Sequence, residues 1–316
     1  MKERFRFKQF KQSLRIKLSN GQYWEANTYG LIGAISEIIE KYSEKGIRMT
    51  LRQLYYQLVA ADIIPNDDRC YKKLSTLLTD SRYIGIVDWE AIEDRVRVPK
   101  VPSEWDSIPD IVLSAISSFR LPRWERQEYY LELLTEKDAL SSILAPIAHK
   151  WHVTFCINRG YTSATAIYDT FKRVYSEVKK GKKAVLLYLG DHDPSGLDMI
   201  RDIELRLQEF CVIKGLQFNN DGYVKQIALT TEQVKKYSPP PNPAKITDPR
   251  AKLYIQRYGR KSWEVDALPP DTMISLVEKS IKNYIDIDRW NTIIDEEKGQ
   301  KEKLQTILEK TDWNAE

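Results

Sequence analysis

The sequence predicts an α/β chain in two parts. A mostly helical N-terminal module of the winged-helix (CAP-like) type is followed by an open parallel sheet with helices on both faces. Three observations predict it. Residues 30–85 carry apolar positions at three-to-four spacing, with helix stop and start signals between them. After about residue 125, short apolar runs alternate with longer amphipathic ones, the βαβ rhythm of a parallel sheet. At 316 residues, 42% of them hydrophobic, the chain is long enough to bury two cores.

The chain opens on "MKERFRFKQFKQSLRIKL", where Lys2, Arg4, Arg6, Lys8, Lys11, Arg15 and Lys17 interleave with Phe5, Phe7 and Phe10. Such a segment can lie along phosphates, each cation neutralising about one of them. It can equally pack its Phe residues on the domain and leave its charges in water. "GLIGAISEIIEKYSEKG" (30–46) reads as a helix ending at Gly46. In "MTLRQLYYQLVAADIIP" (49–65), Thr50 and Gln53 stand at capping-box spacing and Pro65 marks the stop. A third helix, "CYKKLSTLLTDSRYIG" (70–85), leads into a short, partly β segment, "IVDWEAIEDRVRV" (86–98). Three short helices and a β segment suggest a module that lays a helix into a major groove. The proline-spaced stretch 98–110 reads as a linker.

The second part reads as strand "YYLELL" (129–134), a helix, strand "HVTFCI" (152–157), a helix, strand "KAVLLYL" (183–189) and a helix. A proline cluster (238–251) breaks the rhythm, and helical, charged sequence closes the chain. The expected boundaries are a basic segment over 1–28, the helical module over 29–125 and the sheet domain with a helical extension over 126–316.

Composition excludes some classes. Cys70, Cys156 and Cys211 are isolated and form no CxxC pair, which argues against a disulfide framework and a thiolate zinc site. Mean hydropathy is −0.49, and no apolar run approaches the ~18–20 residues of a membrane span. The N-terminus is too charged for a signal peptide. A cytoplasmic location, with no membrane partner, is the expectation. A net charge of +4 permits nucleic-acid binding without requiring it.

The stretch "LLYLGDHDPSGLDM" (186–199) is the most informative. A buried strand ends in Asp191 and Asp193, and Glu136 follows another strand. Functional groups gather at the carboxyl ends of strands in such sheets. If the two strands are neighbours, three carboxylates converge, and three hard oxygen ligands suit Mg²⁺ or Mn²⁺. His192 should then point the other way. Each acid also has a plain reading. Asp193 before Pro194 is a good N-cap. Thr135 could cap a helix whose first turn holds Glu136 and Asp138. Capping leaves Asp191 unexplained.

"TEKDA" (135–139) followed by "LGDHDPSGLDMI" (189–200) resembles the Toprim domain of the topoisomerase VI A-subunit and Spo11 family, with "INRGYTSATA" (157–166) as its Gly-Tyr loop. That family carries a nucleophilic tyrosine in an Arg-x-x-aromatic-Tyr motif N-terminal to Toprim, and "TLRQLYYQL" (50–58) matches it with Arg52 and Tyr56. On a helical wheel Leu51, Leu54, Tyr55 and Leu58 form one apolar stripe, with Arg52 and Tyr56 together on its flank. Tyr55 is thus expected in the core and Tyr56 exposed beside Arg52.

The resemblance implies a DNA-cleaving enzyme that acts on double-stranded DNA and is nucleoid-associated in a bacterium, archaeon or phage. Tyr56 would form a tyrosyl 5′-phosphodiester, Arg52 would stabilise charge on the phosphate, and Glu136, Asp191 and Asp193 would hold Mg²⁺ or Mn²⁺. It implies a homodimer in which one subunit's tyrosine meets the other's metal site. No GxxxxGK[ST] loop is present, so no ATP is expected on this chain, and an ATPase B-type partner is open. Arg159, Tyr161, Arg257 and Lys261 are candidate DNA contacts. Glu264 and Asp266, on alternate positions, could extend the acidic site but read more readily as structural. Two other readings stand beside this one: a Toprim hydrolytic nuclease that does not use Tyr56, and a winged-helix DNA-binding protein without catalysis.

Overall fold

The computed structural model describes residues 10–93, 102–157, 164–215 and 223–311. It is a mixed α/β structure built on a four-stranded parallel sheet.

A hairpin comes first. β1 (Ser13–Lys17) pairs antiparallel with β2 (Tyr23–Asn27), turning through Gly21 at φ +87°. Ile16 is buried among the helices that follow and Phe10 lies against the same core, so the described part of the basic segment packs onto the module; Lys2, Arg4, Phe5, Arg6, Phe7 and Lys8 lie outside the described residues. The helices are α1 (Thr28–Ser43), α2 (Leu51–Ala60) and α3 (Asp68–Tyr83). Asn27 caps α1, and Thr50 and Gln53 cap α2 reciprocally, the expected capping box. Their apolar stripes meet in one core that includes Leu31, Ile35, Tyr42, Leu54, Leu58 and Leu74. The β segment expected over 86–98 is reduced to a 3₁₀ turn at Trp89–Ala91 and a single bridge between Met49 and Ile92, and residues 94–101 lie outside those described. The module's hairpin therefore precedes its helices. Helix α4 (Ile108–Ser118) begins inside the expected linker, with Ser107 as its cap and Pro109 in its first turn.

The sheet order is β4-β3-β5-β6, all parallel, from β3 (Tyr129–Thr135), β4 (Thr154–Ile157), β5 (Lys183–Leu189) and β6 (Val224–Ala228). Three strands stand where sequence places them. β6 is an addition; its run is short and sits beside residues 216–222, outside those described. Helices α5 (Ser141–Lys150), α6 (Ala164–Lys179) and α7 (Pro194–Ile213) cross between strands. Alternate side chains serve the two faces. Leu131, Leu133, Leu187 and Leu189 pack with Leu144 of α5 and with Met273 and Val277 of α10 (Pro270–Lys282). Leu134, Leu186 and Tyr188 pack with Phe171 of α6 and with Met199 and Ile203 of α7.

Between β6 and α10 the chain forms α8 (Thr231–Tyr237), then β7 (Asn242–Pro243) paired with β8 (Lys261–Ser262), with α9 (Ala251–Tyr258) between the two. A 3₁₀ turn at Val265–Ala267 follows. Ala267 enters the helical core while Val265 and Leu268 enter the sheet core, so this turn joins the two modules. α11 (Ile287–Lys310) closes the described chain and packs on α4. Among the described residues, no helix is long and apolar enough to cross a membrane.

A candidate active-site cleft at the carboxyl end of the sheet

β3 and β5 are neighbours in parallel register, Thr135 opposite Leu189, so Glu136 and Asp191 leave the sheet side by side. The Glu136 carboxylate accepts the Asp191 backbone N–H. Asp193 is the N-cap of α7, its Oδ1 accepting from Gly196 N at 2.6 Å, with Pro194 in the first turn. The plain reading of Asp193 as a helix cap therefore holds. Thr135 does not cap a helix; its hydroxyl accepts the Lys137 backbone N–H at 3.2 Å. Two glycines shape the loop. A Cβ on Gly190 would overlap the Tyr188 ring, and one on Gly196 would overlap the Asp191 carbonyl.

His192 points away from its two neighbours, as extended chain requires. It is buried in a box of Tyr254, Tyr258 and Trp263. Its Nδ1 lies 2.9 Å from Tyr254 Oη and its Nε2 3.0 Å from Thr231 Oγ1.

Asp191 and Asp193 face a cleft of about 250 Å³ whose far wall is α2, with Arg52, Tyr55 and Tyr56. Glu264, Asn242 and Lys245 close its side. The tyrosine and the aspartates of one chain thus share one cleft, whereas the resemblance implies a tyrosine from the partner.

One expectation needs correcting here. Tyr56 is not exposed: only 3% of it reaches solvent. The segment 242–264 lies over that flank of α2, and Asn242 Nδ2 donates to Tyr56 Oη at 3.4 Å. A helical wheel cannot see a cover that comes from 186 residues away. Tyr55 is in the core as expected, its hydroxyl donating to Asn66 Oδ1 at 3.0 Å. Glu264 and Asp266 are structural in the first place, as the sequence favours. They join an ion-pair lattice whose centre, Lys137, the sequence reading passes over although it sits inside "TEKDA". Lys137 Nζ lies 2.8 Å from Asp191 Oδ1, 2.8 Å from Glu264 Oε2 and 2.7 Å from Asp266 Oδ1. Arg52 pairs with Glu264 and, at 2.9 Å, with Asp266 Oδ2. Asp191 Oδ1 also accepts Val265 N at 2.8 Å.

The electrostatics follow from burial and charge. Burial pushes the Glu136 carboxyl up, and Asp193 adds to it against Lys137. Burial likewise outweighs Lys137 at Asp191 and pushes it above the usual carboxylate range. Burial alone would raise Glu264, but Lys137 and Arg52 hold it below its ordinary value. Burial, with Glu264 and Asp266 adding, pushes the Tyr56 phenol up to about 12. Lys137 stays charged because its three acids outweigh its burial.

Arg257 and Lys261 are exposed beside the cleft, on α9 and β8. Arg159 and Tyr161 lie outside the described residues.

Glu136, Asp191 and Asp193 fit Mg²⁺ in donor class, being hard carboxylates. Five acids, Glu136, Asp191, Asp193, Glu264 and Asp266, stand at this end of the sheet beside the cations Arg52, Lys137 and Lys245. Among the described residues, no three His, Cys, Asp or Glu side chains are drawn together as a metal cage, and Asp191 Oδ1 is paired with Lys137.

No protein-family model, curated protein or solved structure matches the chain.

Proposed function

We propose that this cleft is a phosphoryl-transfer site that breaks DNA strands, and that the chain pairs a winged-helix-type module with a Toprim-type sheet. One observation carries the reading. An Arg and a Tyr from α2 and two aspartates from the end of β5 line the same cleft.

In this reading Tyr56 Oη attacks a phosphodiester phosphorus. The new bond to phosphorus replaces the bond to the sugar 3′ oxygen, which leaves and takes a proton, and the product is a tyrosyl 5′-phosphodiester. Arg52, fixed at the cleft wall, stabilises charge growing on the non-bridging oxygens. Asn242 holds the phenol by its hydroxyl, and the parallel sheet holds the acids rigidly. Mg²⁺, when bound, would be held by Glu136, Asp191 and Asp193 and would supply a Lewis acid to the phosphate. Double-stranded DNA is the substrate, and a homodimer provides one site per strand; a B-type partner subunit is compatible with it.

A second reading has its own observation. Tyr56 is buried and its phenol raised, which disfavours it as a nucleophile and favours attack by water, with Tyr56 as a contact only.

Both readings are tested on supercoiled plasmid with Mg²⁺ or Mn²⁺. Breaks that disappear in excess EDTA and in Asp191→Asn support a carboxylate-held cation. Breaks that persist in EDTA sink it.

A further inference from the structure

The segment from Lys245 to Lys261 stands out by charge. It carries six basic residues against Asp248 alone, a local charge of +5 where the whole chain is +4. Arg250 is committed to Asp248 at 2.7 Å and to Asp198 at 3.3 Å. Lys252, Arg257, Arg260 and Lys261 are exposed and make no ion pair with an acid among the described residues, while Lys245 faces the cleft and Glu136. Two aliphatic side chains stand among these cations, Ile246 at 77% exposure and Leu253 at 74%, the most exposed large hydrophobics of the described chain. Leu253 and Arg257 are four apart on α9 and share its outer face.

The arm's position matters as much as its charge. Its base, Asn242, Pro243, Lys245 and Ser262, forms a wall of the cleft. Its inner face is fastened to the loop between the aspartates. Tyr254 Oη donates to the His192 carbonyl at 2.7 Å, and Trp263 and His192 exchange backbone hydrogen bonds at 2.8 and 3.1 Å. Whatever the arm holds is therefore placed in fixed relation to Asp191 and Asp193.

We propose that this arm grips duplex DNA beside the cleft. Lys252, Arg257 and Arg260 take phosphates, and Ile246 and Leu253 press against the sugar and base surface of the minor groove, where exposed aliphatics act as wedges. The assignment rests on the cleft as a DNA site and adds the element that delivers the strand. A membrane surface is the other anionic partner, but Leu253 on an eight-residue helix and Ile246 ahead of it give little area to insert.

The test is fluorescence anisotropy with a labelled duplex in EDTA, so that binding is read without breakage, over a salt series. The triple reversal Lys252→Glu/Arg257→Glu/Arg260→Glu is expected to weaken binding more than tenfold and to flatten the log–log salt slope by about 3, near 0.9 per phosphate lost. Ile246→Ser/Leu253→Ser is expected to weaken binding several-fold at an unchanged slope. An equal reversal on α11, Lys298→Glu/Lys303→Glu/Lys310→Glu, is expected to leave the slope as it is. A triple reversal that binds like wild type overturns the proposal, as does wild type that binds anionic phosphatidylserine vesicles but not the duplex. Plasmid cleavage by wild type is scored separately. Cleavage with an unchanged salt slope in the reversal would remove the arm and keep the proposed function. Arm-dependent binding without cleavage would keep the arm and remove strand breakage.

Discussion

Lys137 Nζ sits 2.8 Å from Asp191 Oδ1, so the residue after Glu136 grips the acid at the end of the neighbouring strand. The contact exists because β3 and β5 are adjacent and parallel. The same ammonium reaches Glu264 and Asp266, and through them Arg52 on α2. One lysine thereby ties the sheet, the 3₁₀ turn and the helical module together.

Removing that charge leaves three acids at the cleft without their shared partner. Lys137→Met is expected to cost about 3–5 kcal/mol, the range for breaking a buried ion pair from one side. The urea midpoint should fall accordingly, and Mg²⁺ or Mn²⁺ should raise the variant's melting temperature more than the wild type's. An unchanged midpoint would show that the lattice adds nothing to stability.

Two glycines should respond in opposite directions. Gly196→Ala places a Cβ against the Asp191 carbonyl, a backbone atom that cannot swing aside, and is expected to destabilise by about 1–3 kcal/mol. Gly33→Ala lies within α1 with open space around it and is expected to stabilise by about 0.5–1 kcal/mol. Denaturant curves on the pair decide it; equal effects would contradict the packing described at Asp191.

Acid should weaken the fold partly through His152. Burial, with Arg123 adding and Glu297 opposing, lowers its pKa below the ordinary imidazole value of ~6.5. A group depressed in the folded state contributes stability that is complete above the unfolded pKa and is lost as pH falls through the folded one. His152 sits at φ +50°, which Asn tolerates. Between pH 7 and pH 5, wild type should lose more melting temperature than His152→Asn. Parallel declines would remove this account.

Much of this was legible in sequence, for local reasons. β3, β4 and β5 show as apolar runs, and the capping box at Thr50 and Gln53 and the Asp193–Pro194 start of α7 are written in adjacent residues. The convergence of Glu136 and Asp191 follows once two strand ends are placed side by side. What escaped depends on distant chain. Tyr56 is covered by Asn242, and Lys137 meets Glu264 across 127 residues; no periodicity within α2 or β3 carries that information. β6 escaped because five residues give too short a pattern to read.

The role of Tyr56 separates the proposed function from its nearest rival. Supercoiled plasmid is incubated with Mg²⁺ or Mn²⁺ and with wild type or Tyr56→Phe, stopped with detergent, and run with and without protease. The account predicts nicked or linear DNA that carries protein with wild type and no breaks with Tyr56→Phe. Protein-free breaks that survive Tyr56→Phe would contradict it.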